Sequence, residues 1–114
     1  MHLLQRDIVL VPFPFTDLSG IKRRPVLVVS NNTINKSKTD NDFIAVAVTS
    51  KIRRGPYSVQ VSNGDWENGF LPANSEIRCD KIATLEKSIV LKKLCVLNNK
   101  AFSAVKSELA DVFK

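Results

Sequence analysis

The chain predicts a compact, mostly antiparallel α+β domain, a small and strongly bent barrel followed by one helix. Three observations carry that expectation. Five or more short apolar runs, rich in β-branched and aromatic residues, follow one another closely up to Leu97. Only the tail, Asn98–Lys114, shifts to a helical period. The 114 residues suit one domain with one sizeable core, and no repeat, linker or low-complexity tract divides them.

The elements follow in order. Gln5–Phe15 holds the first strand, with Ile8, Val9, Leu10, Val11, Phe13 and Phe15 apolar; Pro12 and Pro14 remove two ladder donors, so the strand bends or meets an edge there. A loop with Gly20, Lys22, Arg23 and Arg24 leads to a second strand, Pro25–Ser30, wholly apolar as when both faces are covered. Pro25 biases Arg24 toward an extended conformation, which presents that guanidinium at the mouth of a strand. Asn31–Asp42 is polar and reads as a loop with at most a short helical turn. Phe43–Ser50 is the third strand. A second basic loop carries Lys51, Arg53 and Arg54 before a Gly55-Pro56 turn signal.

Tyr57–Val61 alternates as a half-buried strand, with Tyr57, Val59 and Val61 on one face. Ser62–Gly69 is a turn region containing the lone Trp66. Glu76–Leu85 alternates less strictly, Ile77, Cys79 and Ile82 against Arg78 and Asp80, and Ser88–Leu97 is a further strand or a strand with a turn at Lys92-Lys93. In the tail, Phe102, Val105, Leu109 and Val112 fall three or four apart, an amphipathic helix capped by Asn98 or Asn99.

Charge and cysteine usage narrow the function. The net charge of +6, from 17 Lys and Arg against 11 Asp and Glu, favours an anionic partner without naming one. No apolar run reaches the roughly 20 residues that span a bilayer, and no charged-then-apolar leader is present, so the expected location is the cytoplasm. Cys79 and Cys95 sit in apolar segments without a CxxC or a neighbouring His, and read as buried free thiols. The only histidine, His2, lies at the terminus, which argues against a histidine-based catalyst. No metal-ligand cluster stands out, and no cofactor is expected.

The two basic loops each adjoin the end of an apolar strand and can converge on one face. Such a groove attracts a nucleic-acid backbone in a salt-dependent way, and Tyr57, Trp66 or Phe70 could stack on unpaired bases. The plain structural account competes at each point. Basic runs are most often solvated turns; Phe70 is better placed in the core; Trp66, in the polar turn NGDWENG, is the best candidate for an exposed aromatic but equally suits a cover over a core edge. Thr49-Ser50 ends a buried strand, where a hydroxyl commonly satisfies a backbone group. Arg78 and Asp80, two apart on a strand, point to one face, either as a weak surface ion pair or as a positioned carboxylate beside a permanent cation.

The order VLVPFPFTDLSGIKRRPVLVVSNN, then AVAVTS, then LPANSEIRCDKIATLEKS, roughly residues 6 to 90, resembles the PemK/MazF toxins of bacterial type II toxin–antitoxin pairs. The resemblance implies an SH3-like barrel with a C-terminal helix acting as a homodimer. It further implies metal-independent, sequence-selective cleavage of single-stranded RNA, neutralisation by a cognate antitoxin, and DNA binding as the toxin–antitoxin complex. Arg24 matches the family's loop arginine before proline, and Thr49 the hydroxyl residue ending the third strand. Arg78 and Asp80 match the Arg and Asp used in one branch, whose assisting first-loop histidine has no counterpart here. Lys22, Arg23, Ser50, Lys51, Arg53 and Arg54 are the expected RNA-binding residues.

The chemistry agrees with those residue types. RNA cleavage by its own 2′-hydroxyl needs that group deprotonated, the phosphorane charge stabilised and the 5′-oxygen protonated. Arg24 and Thr49 suit the charge; Asp80 is a better proton acceptor than an arginine of pKa about 12.5 or above. Two other readings compete: a basic barrel that binds nucleic acid without chemistry, and a gyrase poison of related fold acting through the C-terminal helix near Phe113 and Lys114.

Overall fold

A computed structural model describes residues 2–12 and 22–114. Among them run β1 (Asp7–Pro12), β2 (Arg23–Val28), α1 (Asn32–Asn35), β3 (Asp42–Thr49), β4 (Ser58–Val61), β5 (Trp66–Glu67) and β6 (Ser75–Glu86). A 3-10 turn over Lys87–Ile89, then β7 (Lys92–Leu97) and α2 (Asn99–Val112), complete the chain. The strands form one sheet in the order β4-β6-β3-β2-β1-β7-β5, with every pairing antiparallel. The sheet curls into a half-barrel with the single long helix at its C-terminal end, the fold class that the sequence predicted.

Strict alternation explains why the central strands read as uniformly apolar. Ile8, Leu27, Val46, Val48, Ile77 and Cys79 face one core, which α2 closes with Ala101, Phe102 and Val105. Their neighbours Val9, Val11, Val26, Val28, Phe43, Ala45 and Leu85 face a second. A strand buried on both faces has no polar side to show.

Local signals set the element ends. Asn98 caps α2, its Oδ1 accepting from the Ala101 N–H at 2.9 Å. The polar stretch after β2 does contain one helical turn, α1, capped by Asn31. Pairing of β1 with β7 stops at Leu10, so Pro12 meets only β2, at Arg23, and its missing donor costs no ladder bond on the other side. The expected extension of the first strand through Phe13 and Phe15, and the loop at Gly20, lie outside the described residues.

Three expectations need correction. Arg24 lies within β2, not before it, because Pro25 supports an extended backbone on both sides and Val11 pairs with Arg24. Ser88–Leu97 is not one strand: a 3-10 turn comes first and β7 begins at Lys92. Tyr57 precedes β4, since its φ of +60° takes it out of the extended region.

Candidate active site

The sheet registers put the polar candidates in one place. Glu76 on β6 pairs with Thr49 on one side and Gln60 on the other. Arg78 pairs likewise with Ala47 and Ser58. The β2–β3 ladder ends at Val26 and Ala47, with Arg24 two residues before that pair on β2 and Thr49 two residues after it on β3. Residues opposite one another across antiparallel strands share a face. A row therefore crosses three strands, Thr49, Glu76 and Gln60, with Arg24 on the face of β2 that also carries Val26. It lies on the face that holds Val26 and Val28 in the second core, where that face turns from apolar to polar.

The same geometry gathers the basic loops. β2 begins and β3 ends at the same edge of the sheet, so Lys22 and Arg23 enter where Ser50, Lys51, Arg53 and Arg54 leave, all six exposed. Arg24 and Thr49 are half-buried between them. The Thr49 Oγ1 accepts from the Lys51 backbone N–H at 3.0 Å. That is the backbone role foreseen for a strand-terminal hydroxyl, and it leaves the O–H able to donate.

Arg78 and Asp80 come together through a bulge. β3 residues Val46 and Ala47 pair with Ile82 and Arg78, so Cys79, Asp80 and Lys81 have no partner on β3. A bulge re-aims side chains. Here it turns the Asp80 carboxylate back onto Arg78, whose Nε donates to Oδ1 at 3.2 Å and Nη2 to Oδ2 at 3.1 Å. With the Arg78 side chain 18% and the Asp80 side chain 33% exposed, the pair is neither a free surface bridge nor fully sequestered.

Glu76 went unnoticed in the sequence. It is fully buried (0% exposed), and its Oε1 accepts from the Arg54 N–H at 2.7 Å and from Gln60 Nε2 at 2.6 Å. Among the described residues its Oε2 has no hydrogen-bond partner within bonding geometry. Burial alone would raise this carboxyl, but Gln60, the Arg54 and Arg53 backbone and the Arg78 charge outweigh it and leave the pKa below the ordinary 4.5. The signal was present: residue 76 falls on the same alternation as Arg78, opposite Ile77. A lone Glu at a strand start nonetheless reads as surface. Its anchor also offsets backbone strain, because Arg54 has a φ of +54° and such conformations typically cost about 1–3 kcal/mol in a residue with a side chain.

Phe70, expected in the core, is instead 70% exposed. Of the two readings of Trp66, the core-edge one holds: it is half-buried against the main core on β5, which pairs with Leu97 at the far end of the strand order from β4. A tryptophan in a polar turn can reach an apolar edge that only the packed sheet creates. Tyr57 does stand exposed beside the second basic loop. Cys79 and Cys95 are buried free thiols, as expected.

Comparison with known proteins follows the same lines. An endoribonuclease in complex with its cognate antitoxin, from Mycobacterial species, is similar at a TM-score of 0.78 and 24% identity, over 97% of this chain and 94% of that one. The MazE-MazF complex from Deinococcus radiodurans (Form-III) reaches 0.78 at 21% identity, over 99% and 97% of the two chains. The Mycobacterium tuberculosis toxin MazF-mt6 reaches 0.76 at 18% identity, over 95% and 96%. At these identities the likeness is one of fold. No curated protein matches the chain significantly. The model of the PemK-like, MazF-like toxins of type II toxin–antitoxin systems matches residues 4–113, and with nearly the whole chain covered, this protein belongs to that family.

Proposed function

We propose that this protein is a sequence-selective, metal-independent endoribonuclease that cleaves single-stranded RNA, a homodimeric toxin held in check by a cognate antitoxin. The observation that supports the reading is that Arg24 and Thr49 each lie two residues beyond the last β2–β3 pair, at the end of the sheet where the exposed basic residues Lys22, Arg23, Lys51, Arg53 and Arg54 and the exposed Ser50 also lie. Lys22, Arg23, Ser50, Lys51, Arg53 and Arg54 hold the RNA backbone. Arg24 and Thr49 donate to the oxygens of the scissile phosphate, where negative charge grows in the transition state; removing one such donor typically costs about 2.7–4 kcal/mol.

Asp80, oriented by Arg78, takes the proton from the 2′-hydroxyl. The 2′-oxygen then bonds to phosphorus, the bond to the 5′-oxygen breaks, and that oxygen takes a proton from water, whose hydroxide takes back the proton held by Asp80. The products are a 2′,3′-cyclic phosphate and a 5′-hydroxyl. No step needs a group beyond these side chains and water.

The deciding experiment incubates the protein with a long unstructured RNA in excess EDTA and maps the new ends. Cuts at a short recurring sequence, bearing 2′,3′-cyclic phosphate, are expected. Salt-sensitive RNA binding without cyclic-phosphate ends would leave only a basic binding module. Inhibition of DNA supercoiling by gyrase in a parallel assay would move the activity to the C-terminal helix.

A further inference from the structure

Glu76 binds two elements together. Its Oε1 holds the Arg54 amide of the β3–β4 loop and the Gln60 side chain of β4. Arg54, Gln60 and Ser75 also line an open pocket of ≈ 290 Å³, with Ile52, Val61, Ser62 and Asn74 around them. Without that shared acceptor, loop and strand have no side-chain bond between them among the described residues, and the pocket wall is free to shift.

The pocket's size and chemistry suit one nucleobase. Its volume lies at the bottom of the range for small-molecule sites, typically about 300–1,000 Å³. Ile52, exposed, offers apolar surface to a ring face. The Gln60 and Asn74 amides and the Ser62 hydroxyl offer donors and acceptors to its edge, which is how unpaired bases are told apart. Its position suits RNA as well. Gln60 stands two strands from Thr49 in the same row, about 10 Å at the usual strand spacing.

We propose that this pocket reads one base of the RNA beside the cut, and that Glu76 is the positioning residue that keeps its walls in register. The proposal rests on the ribonuclease reading above and adds the place where sequence is read. Gln60 serves twice: one Nε2 hydrogen is committed to Glu76, while its Oε1 and second Nε2 hydrogen remain for the base. Neutralising Glu76 weakens a charge-assisted acceptor and lets the Arg54 loop wander.

The test uses the full chain and single-stranded RNA randomised on both sides of the cut, with ends mapped in EDTA for the wild type, Asn74→Ala, Gln60→Ala and Glu76→Gln. Asn74→Ala and Gln60→Ala are each expected to lower the preference at one shared position by about tenfold, in the range a single polar base contact supplies. Other positions keep their preference. Glu76→Gln relaxes that same position. An unchanged profile in the two surface variants, or a loss spread evenly over all positions, overturns the subsite while the ribonuclease reading stands. A Glu76→Gln protein that fails to fold, or that keeps the wild-type profile, overturns the positioning role. A wild type that makes no cuts overturns the ribonuclease reading and the subsite together.

Discussion

Arg78 and Asp80 meet through two parallel hydrogen bonds of 3.2 and 3.1 Å, although only Arg78 belongs to the regular ladder and Asp80 sits in the bulge beyond it. The planar guanidinium fixes the carboxylate in both distance and orientation. It also occupies one lone pair on each oxygen, leaving the others to accept a proton.

Asp80→Asn is therefore expected to lower single-turnover RNA cleavage by about 10²-fold or more, the usual share of a positioned base. Single-turnover rates of wild type and variant on one RNA decide this, and an unchanged rate would remove Asp80 from proton transfer.

Arg24→Ala and Thr49→Ala should each slow cleavage by about 10²–10³-fold, with circular dichroism unchanged because both side chains are only half-buried at strand ends. Thr49→Ser keeps the hydroxyl and is expected to recover most of the rate. Loss of activity in the serine variant as well would assign Thr49 a packing role.

Glu76 makes acid stability a readout of its ionisation. Its folded pKa lies below 4.5, so ionised Glu76 contributes stability fully above that value. The contribution is lost as pH falls through the folded pKa. Glu76→Gln should be less stable than wild type at pH 7, and the gap should narrow below about pH 4.5, as measured by urea unfolding across pH. A gap that does not change with pH would mean the carboxylate is not charged in the native state.

Neither thiol should react in the folded protein. Burial, with the Glu108 and Asp80 charges, pushes Cys79 up to about 12, and burial with Asp7 pushes Cys95 up to about 11. Because the thiolate is the nucleophile, iodoacetamide at pH 8 should label both only after denaturation. Mass spectrometry of native and urea-treated samples gives the answer.

The helix is held by few side chains, so one deletion should register. Phe102, 3% exposed, packs with Ala101 and Val105 against the main core. Phe102→Ala is expected to cost about 3–5 kcal/mol, and Asn98→Ala about 1 kcal/mol through the lost cap. Urea midpoints for the two variants should rank in that order.

Periodicity was enough to read the central strands and the terminal helix with an asparagine at its cap, Asn98 or Asn99, because alternation and capping are local properties of the chain. The two-residue β5 is too short to carry such a signal. Arg24, Thr49, Arg78 and Asp80 stood out through the family resemblance, because a solvated turn, a backbone-capping hydroxyl and a surface ion pair account for the same residue types locally. Register was not legible. Which residues face one another across β2, β3, β6 and β4 depends on the pairing of segments far apart in sequence, and on a bulge that shifts the pairing by three positions. That pairing alone set Glu76 between Thr49 and Gln60. It also put Trp66 against the core and left Phe70 in solvent, because burial is decided by the surface each side chain meets and not by the polarity of its neighbours in the chain.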